Sequence, residues 1–355
     1  MQEERSWLRQ HWKLVLNIFT LVALALVIYA ARDQVAQTIR DLGRVNAWAL
    51  LLLIPVEALN YHAQAKLYQG LFASVGNRLG YWYLFRASLE LNFVNHVFPS
   101  GGVTGLSYFS LRLREGEKLT GAKATLVHLA KLMLMFLSFE MLIVLGVISL
   151  AAFGRANNLV ILTAGSLSTL LLVGTVLFFY MLDSRTRIRN FVAGLTRLLN
   201  RIIKLVRPRH PETINIGRTR EVLDDFHDNY EILKKDYKKL KAPFWYSLLA
   251  NVTEVAAVYV VFVAFNQYVN VGAVILAYAI ANFAGLVSVL PGGVGIYEAL
   301  MTTVLATTGI PAGVSLPVII MYRLLNTLIQ IPPGYYFYLK TLHEGNQPKG
   351  APGAA

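Results

Sequence analysis

The sequence predicts an all-α polytopic membrane protein of about six full transmembrane helices plus two re-entrant broken-helix hairpins in an inverted repeat. Three observations carry that prediction. Of 355 residues, 55% are hydrophobic and only 15% charged, more apolar surface than a water-soluble domain hides. Several apolar runs approach or exceed the roughly 20 residues that cross about 30 Å of hydrocarbon. Two further apolar stretches are each interrupted by a proline and glycine cluster, which breaks a helix. An arrangement of ten short and long spans is the alternative, because residues 271–290 are long enough to span alone.

The elements follow in order. Arg5, Arg9 and Lys13 precede the apolar run from Leu14 to Ala31, which is long and lacks a small-residue cleavage site, so it is expected to be an uncleaved first span. Further spans are predicted at about 47–71, 122–153, 159–182, 244–266 and 314–340. The first break is Pro99-Ser100-Gly101-Gly102-Val103-Thr104-Gly105 and the second is Pro291-Gly292-Gly293-Val294-Gly295. Backbone freed from helical hydrogen bonds cannot face lipid, so each break is a candidate hairpin buried in protein or lining a wet cavity. The organisation expected is a first span and external loop (1–44), a first membrane repeat (45–182), a cationic segment (183–241), a second repeat (242–340) and a disordered tail (341–355).

Lys and Arg number 33 against 20 Asp and Glu, a net charge of +13. Fifteen of those cations lie between Arg185 and Lys241, which places this segment in the cytoplasm under the positive-inside rule. Counting crossings outward puts both chain termini on the same side, in a plasma (inner) membrane. The far side then carries only Arg32, Arg40, Arg44 and Arg155. Residues 185–206 alternate cations with apolar residues at helical spacing, as a helix lying on anionic headgroups does, while 219–241 reads as a polar, solvated connector. This placement of charge argues against nucleic acid as a partner and leaves oligomeric state undetermined.

The two breaks belong to a weak internal repeat. Pro55 and Glu57 precede the first by about as far as Pro243 and Glu254 precede the second, and Asn92-Phe93 matches Asn282-Phe283. With the hairpins entering from opposite sides, the repeats are inverted, a transporter pattern in which broken helices meet near the midplane. Helix starts after Gly102 and Gly293 would direct free N–H groups and positive dipole ends into that site, favouring an anion. The competing reading is that these glycines only allow close helix packing.

Polar residues inside the spans align. Glu57, Asn60, Tyr61 and Gln64 share one helix face, as do Arg323, Asn326, Thr327 and Gln330. Ser247, Asn251 and Glu254 form a third stripe, His128, Lys131 and Ser138 a fourth, and Ser88, Asn92, Asn95 and His96 a fifth. Five such stripes imply a shared hydrophilic interior, the alternative being interhelical hydrogen bonds worth about 1 kcal/mol each. Candidate substrate-binding residues are therefore Arg323, Lys131, Glu254, Glu57, Asn60, Asn251, Asn92, Asn326 and Glu298. The helix-break residues Pro99, Gly101, Gly102, Pro291, Gly292, Gly293 and Gly295 complete the site. Glu298 either satisfies a helix dipole or acts as a protonatable gate.

Other chemistry finds no motif. Without cysteine there are no disulfides or thiolate sites, and His62, His96 and His128 lack metal-ligand spacing. Gly-x-x-x-x-Gly-Lys-Ser/Thr, His-Glu-x-x-His and Gly-x-Ser-x-Gly are absent, so no cofactor and no catalytic residue is expected.

The first break, with Leu290-Pro291-Gly292-Gly293-Val294-Gly295-Ile296-Tyr297-Glu298-Ala299 and the later Arg323, Pro332, Pro333 and Gly334, resembles the lysylphosphatidylglycerol synthase transmembrane-region family of flippase-like proteins. The resemblance runs from about Val45 to Lys340. It implies movement of a lipid, often an aminoacylated phosphatidylglycerol, between leaflets. The chain ends at Ala355 without a soluble aminoacyl-transferase domain, so synthesis of aminoacyl lipid is not expected. Another phospholipid or a polyprenyl-phosphate-linked lipid fits as substrate. A membrane enzyme acting on a lipid-linked substrate and a non-transporting scaffold are the readings from other classes.

Overall fold

The computed structural model describes residues 45–97, 103–117, 119–206, 216–287 and 295–344, with residues 36, 40, 41 and 43 beside them. The expected first span at 14–31, the break residues Pro99, Gly101, Gly102, Pro291, Gly292 and Gly293, and the tail from 345 lie outside the described residues. Within them the secondary structure is helical: α1 (Ala47–Leu50), α2 (Leu53–Ser74), α3 (Tyr81–Val97), α4 (Val103–Glu117), α5 (Gly121–Ala152), α6 (Asn158–Leu182), α7 (Arg185–Val206) and α8 (Ile216–Lys235). A 3-10 turn (Tyr237–Leu240) then leads into α9 (Lys241–Ala264), followed by α10 (Val271–Val287), α11 (Ile296–Thr307) and α12 (Ala312–Glu344).

Local chemistry sets the boundaries. Asn46, Thr120 and Asn157 cap α1, α5 and α6 by accepting backbone N–H groups with their side-chain oxygens. Gly295 precedes α11 with φ at +88°, a conformation that favours glycine. Four helical segments are long and apolar enough to cross a bilayer: Gly121–Ala152, Asn158–Leu182, Tyr237–Ala264 and Ala312–His343. The 22-residue α2 falls outside that group, and its central polar residues Glu57 and Asn60 are buried inside the protein. All four, α5, α6, α9 and α12, coincide with predicted spans, at 122–153, 159–182, 244–266 and 314–340.

The order of long helix, helix pair, long helix occurs twice. In the first unit the lengths are 22, 17, 15 and 32 residues for α2 to α5. In the second they are 24, 17, 12 and 33 residues for α9 to α12. Within the first pair, Tyr83 Oη donates to the Arg112 carbonyl at 3.1 Å and Tyr108 Oη to Glu90 at 2.7 Å, so α3 and α4 run antiparallel. At about 1.5 Å per residue, each paired helix is about 18–26 Å long and falls short of the hydrocarbon thickness.

Contacts between the central helices fix the relation of the two units. Asn46 N–H donates to the Ala264 carbonyl at 2.9 Å, Asn60 reaches the Ala250 carbonyl at 3.0 Å, and a Cβ on Gly70 would lie 2.8 Å from Pro243. Rising numbers along α2 therefore meet falling numbers along α9, and the units are inverted. Their closing helices are exchanged. Phe93 of α3 packs against Tyr335 and Tyr338 of α12, and Phe283 of α10 against Phe136 and Phe139 of α5. The Asn-Phe pairs noticed in the sequence thus mark equivalent places, each phenylalanine docking on the last helix of the opposite unit.

Glycine allows these approaches. At Gly272 a Cβ would lie 2.2 Å from the Gly146 carbonyl oxygen, and at Gly334 it would lie 2.7 Å from the Leu89 carbonyl oxygen. Both observations favour close packing as one role of glycine in this chain.

Between the units, α6 packs on α5 but leaves Leu162, Leu170, Val176 and Tyr180 largely exposed, a surface suited to lipid. Helices α7 and α8 pair through Arg185 with Asp228 and Arg189 with Asp224, the second at 2.6 Å, while Lys234 pairs with Asp183. The solvated connector expected for 219–241 is instead docked: Phe226, Tyr230 and Leu233 are buried in a cluster with Leu126 and Val127 of α5. These three residues recur at i, i+4 and i+7, which aligns them on one helix face.

Gly272→Ala should destabilise the protein by about 1–3 kcal/mol through overpacking. Gly165→Ala, where nothing lies within 4 Å of the added atom, should leave the unfolding midpoint unchanged or slightly raised. Thermal unfolding of the two variants in detergent measures the contrast.

Candidate functional site

The α2 and α9 helices each bring a carboxylate to the centre of the molecule, and amide side chains link them. Asn60 of α2 donates through Nδ2 to Thr253 Oγ1 at 2.9 Å and to Glu254 Oε1 at 3.2 Å. Its own carbonyl oxygen accepts from Gln64 at 2.7 Å, and Gln64 Oε1 accepts from Lys131 Nζ of α5 at 2.9 Å. Lys131 also stands over the Tyr68 ring at 4.7 Å, with Tyr68 Oη 2.8 Å from His128 Nδ1. Two amides therefore separate the lysine from Glu254.

On the other flank, Glu254 Oε2 accepts from Tyr278 of α10 at 3.0 Å and Tyr322 of α12 at 3.2 Å. Asn326 reaches the Tyr322 hydroxyl at 3.3 Å and accepts from Gln330 at 2.6 Å. Gln330 also donates to Glu57 Oε2 at 3.0 Å and accepts from Asn92 at 2.6 Å, while Asn92 contacts Tyr61 Oη at 2.5 Å. One connected network thus joins α2, α3, α5, α9, α10 and α12.

The structure brings together Glu57, Asn60, Asn92, Lys131, Glu254 and Asn326 from among the predicted site residues. Glu57 and Asn60 are each 2% exposed, Lys131 7% and Gln330 4%, so these groups fill the space between one another in this conformation. Buried polar groups are tolerated when hydrogen-bonded, and networks of this kind favour one side-chain arrangement.

Asn251 lies elsewhere. It donates to the Met135 carbonyl at 2.9 Å and Ser138 Oγ at 2.6 Å, and Ser247 donates to the Leu134 carbonyl at 3.1 Å. These bonds seal α9 against α5. Three residues advance a helix by about 300°, so Asn251 and Glu254 occupy adjacent faces and meet different neighbours.

Arg323 and Glu298 form a second centre at the start of α11. They make an ion pair, and the guanidinium lies 4.8 Å from the Tyr297 ring centroid. Glu298 Oε2 also accepts the Gly295 N–H at 2.7 Å, capping the helix as the dipole reading required. The residue therefore meets both the helix start and the cation facing it.

Several residues were not singled out in the sequence. Glu90 is 1% exposed and accepts from Tyr108 at 2.7 Å, Arg112 at 3.1 Å and Thr341 at 2.9 Å, tying α3, α4 and the end of α12 together. An acid within a predicted membrane helix was the available signal, set on α3 beside the polar stripe of Ser88, Asn92, Asn95 and His96. Tyr278 and Tyr322 had none, because isolated tyrosines in apolar segments also read as interfacial anchors. Among the described residues, no group of three His, Cys, Asp or Glu side chains converges as a metal site. His62 and His96 are satisfied by Tyr81 Oη and the Asn92 carbonyl, each at 2.9 Å.

Long apolar helices, two inverted units and a buried polar seam between them define an integral membrane protein of polytopic α-helical type. Residues 15–334 match the lysylphosphatidylglycerol synthase TM region, and the chain belongs to that family. It is 21% identical over 342 residues to a UPF0104 membrane protein of Methanocaldococcus jannaschii, covering 95% of this chain and 97% of the relative. A UPF0104 membrane protein of Methanothermobacter thermautotrophicus is 22% identical over 324 residues, covering 89% and 92%. No solved structure matches.

Asn60→Ala should destabilise the fold by about 1–3 kcal/mol for each buried partner it leaves unsatisfied. Combined with Gln64→Ala, it should depart from additivity by at least about 0.5 kcal/mol, whereas combination with Asn251→Ala should be additive. Unfolding free energies of the single and double variants check both statements.

Proposed function

We propose that this protein is a lipid flippase or scramblase that moves an anionic or aminoacylated phospholipid, or a polyprenyl-phosphate-linked lipid, between leaflets. The observation that carries the reading is the polar network built jointly by the two inverted units around Glu57, Asn60 and Glu254. A headgroup crossing hydrocarbon alone must shed its water at a large free-energy cost. Amides, phenols and two carboxylates offer replacement hydrogen bonds while the acyl tails stay in the bilayer.

In this mechanism the short helix pairs are re-entrant hairpins that enter from opposite sides and part to admit the headgroup. Phosphate takes the place of Glu298 against Arg323, and Lys131 supplies a second cation on the path. Glu57 and Glu254 receive the cationic part of an aminoacylated headgroup. The chain carries no recognised nucleotide-binding loop, so movement is equilibrative or driven by an ion gradient or the membrane potential. The positive-inside rule orients the protein in the plasma (inner) membrane with both termini and the α7–α8 layer on the cytoplasmic side. There, α7 lies along anionic headgroups, with Phe191 exposed beside its cations.

Reconstitution into vesicles with labelled phosphatidylglycerol, lysyl-phosphatidylglycerol and phosphatidylcholine tests the activity. Wild type should accelerate leaflet exchange of the anionic or aminoacylated lipid. Arg323→Ala and Glu254→Ala should slow it about ten- to a hundredfold, the equivalent of losing about 1.5–3 kcal/mol of charged hydrogen bonding. Equal exchange by all three proteins would remove the site from the mechanism, exchange of none of the lipids would argue for a scaffold, and a chemically altered lipid would identify an enzyme.

A further inference from the structure

A groove of about 550 Å³ opens where the 3-10 turn passes into α9, lined by Leu134 of α5, Tyr237, Lys238 and Leu240 of the turn, and Lys241 and Phe244 of α9. Its inner surface is apolar, supplied by Leu134, Leu240 and Phe244. Its mouth is cationic. Lys234 and Lys239 are occupied by Asp183 and Asp236. Among the described residues, Lys238 and Lys241 have no carboxylate within ion-pair distance, and both are exposed. Their i, i+3 spacing places the two lysines on the same face of the turn.

The groove also lies at the level where this span enters the bilayer. The apolar segment runs from Tyr237 to Ala264, and Tyr237 and Trp245 are 67% and 53% exposed at its beginning. Exposed tyrosine and tryptophan at the end of a span are interfacial anchors, set at the depth of phospholipid phosphate and glycerol groups. Along α9 between the groove residues and Glu254, the Ser247 hydroxyl bonds the Leu134 carbonyl and Asn251 bonds Met135 and Ser138, fastening α9 to α5.

We propose that this groove is a binding site for one anionic phospholipid, its phosphate held between Lys238 and Lys241 and the upper part of one acyl chain laid against Leu134, Leu240 and Phe244. The charge of the rim selects the headgroup, and the apolar floor requires a chain. Bound there, the lipid braces the first turn of α9, whose Pro243 is wedged against Gly70 of α2. The site stands whether or not the protein moves lipid.

Native mass spectrometry of the full-length protein, delipidated in detergent and titrated with phosphatidylglycerol, phosphatidylcholine or glycerol 3-phosphate, tests the site. Wild type should retain one phosphatidylglycerol at about tenfold lower concentration than phosphatidylcholine and should not retain glycerol 3-phosphate. The double variant Lys238→Gln/Lys241→Gln should lose that preference. Lys235→Gln/Lys239→Gln, with the same change in net charge outside the groove, should keep it. Undiminished preference in the first variant, or equal loss in both, would overturn the assignment, and retention of glycerol 3-phosphate as tight as that of the lipid would refute the acyl-chain contact.

Discussion

The antiparallel contact of α2 with α9 constrains the rest of the molecule. Each helix carries an acid, Glu57 or Glu254, into a region from which water is largely removed, and a buried acid must find polar partners. The direct partners are Gln330 and Tyr322 from α12, Tyr278 from α10 and Asn60 from α2, and through these Asn326, Asn92 of α3 and, by way of Gln64, Lys131 of α5 join the same network. Satisfying two carboxylates thus fixes the rotational setting of four neighbouring helices. The close approaches at Gly272 and Gly334 then determine how near those neighbours stand.

In the proposed transport such a network would hold the protein closed and also supply the interactions an opened path requires. A hydrogen bond between neutral groups is worth only about 0.5–1.5 kcal/mol net, and one to a carboxylate about 1.5–3 kcal/mol. An incoming polar group that replaces several at once therefore meets a modest barrier, whereas opening to hydrocarbon would leave every one of them unmet. The same logic applies to Arg323. Its ion pair with Glu298 keeps a cation tolerable at depth, and in the proposed transport a phosphate would take the place of the carboxylate.

Much of this was legible in the amino-acid order. Stripes such as Glu57-Asn60-Gln64 and Asn326-Gln330 stood out because polar groups on apolar helices recur with the helical period, and the structure faces them toward one another. The period alone does not say which neighbour a face meets, so Asn251 was grouped with Glu254 although it bonds α5. Helix α8 was misjudged for a related reason. Its Asp and Lys residues dominate the composition, while Phe226, Tyr230 and Leu233 form a narrow stripe that α5 covers. Glu90 escaped because its donors Tyr108, Arg112 and Thr341 lie 18, 22 and 251 residues away along the chain.

Helix α6 gains meaning from arithmetic rather than from packing. A unit made of a crossing helix, a returning pair and a second crossing helix ends on the side where it began, so two such units joined directly would point the same way. Turning the second upside down requires one additional passage through the bilayer, and α6 provides it while touching little besides α5. Its outer face, with Leu162, Leu170 and Val176, is accordingly answerable to lipid, while Val160, Ala164, Leu167 and Leu171 remain buried against the protein. Helix α6 is thus the part that joining two inverted units in one chain makes necessary.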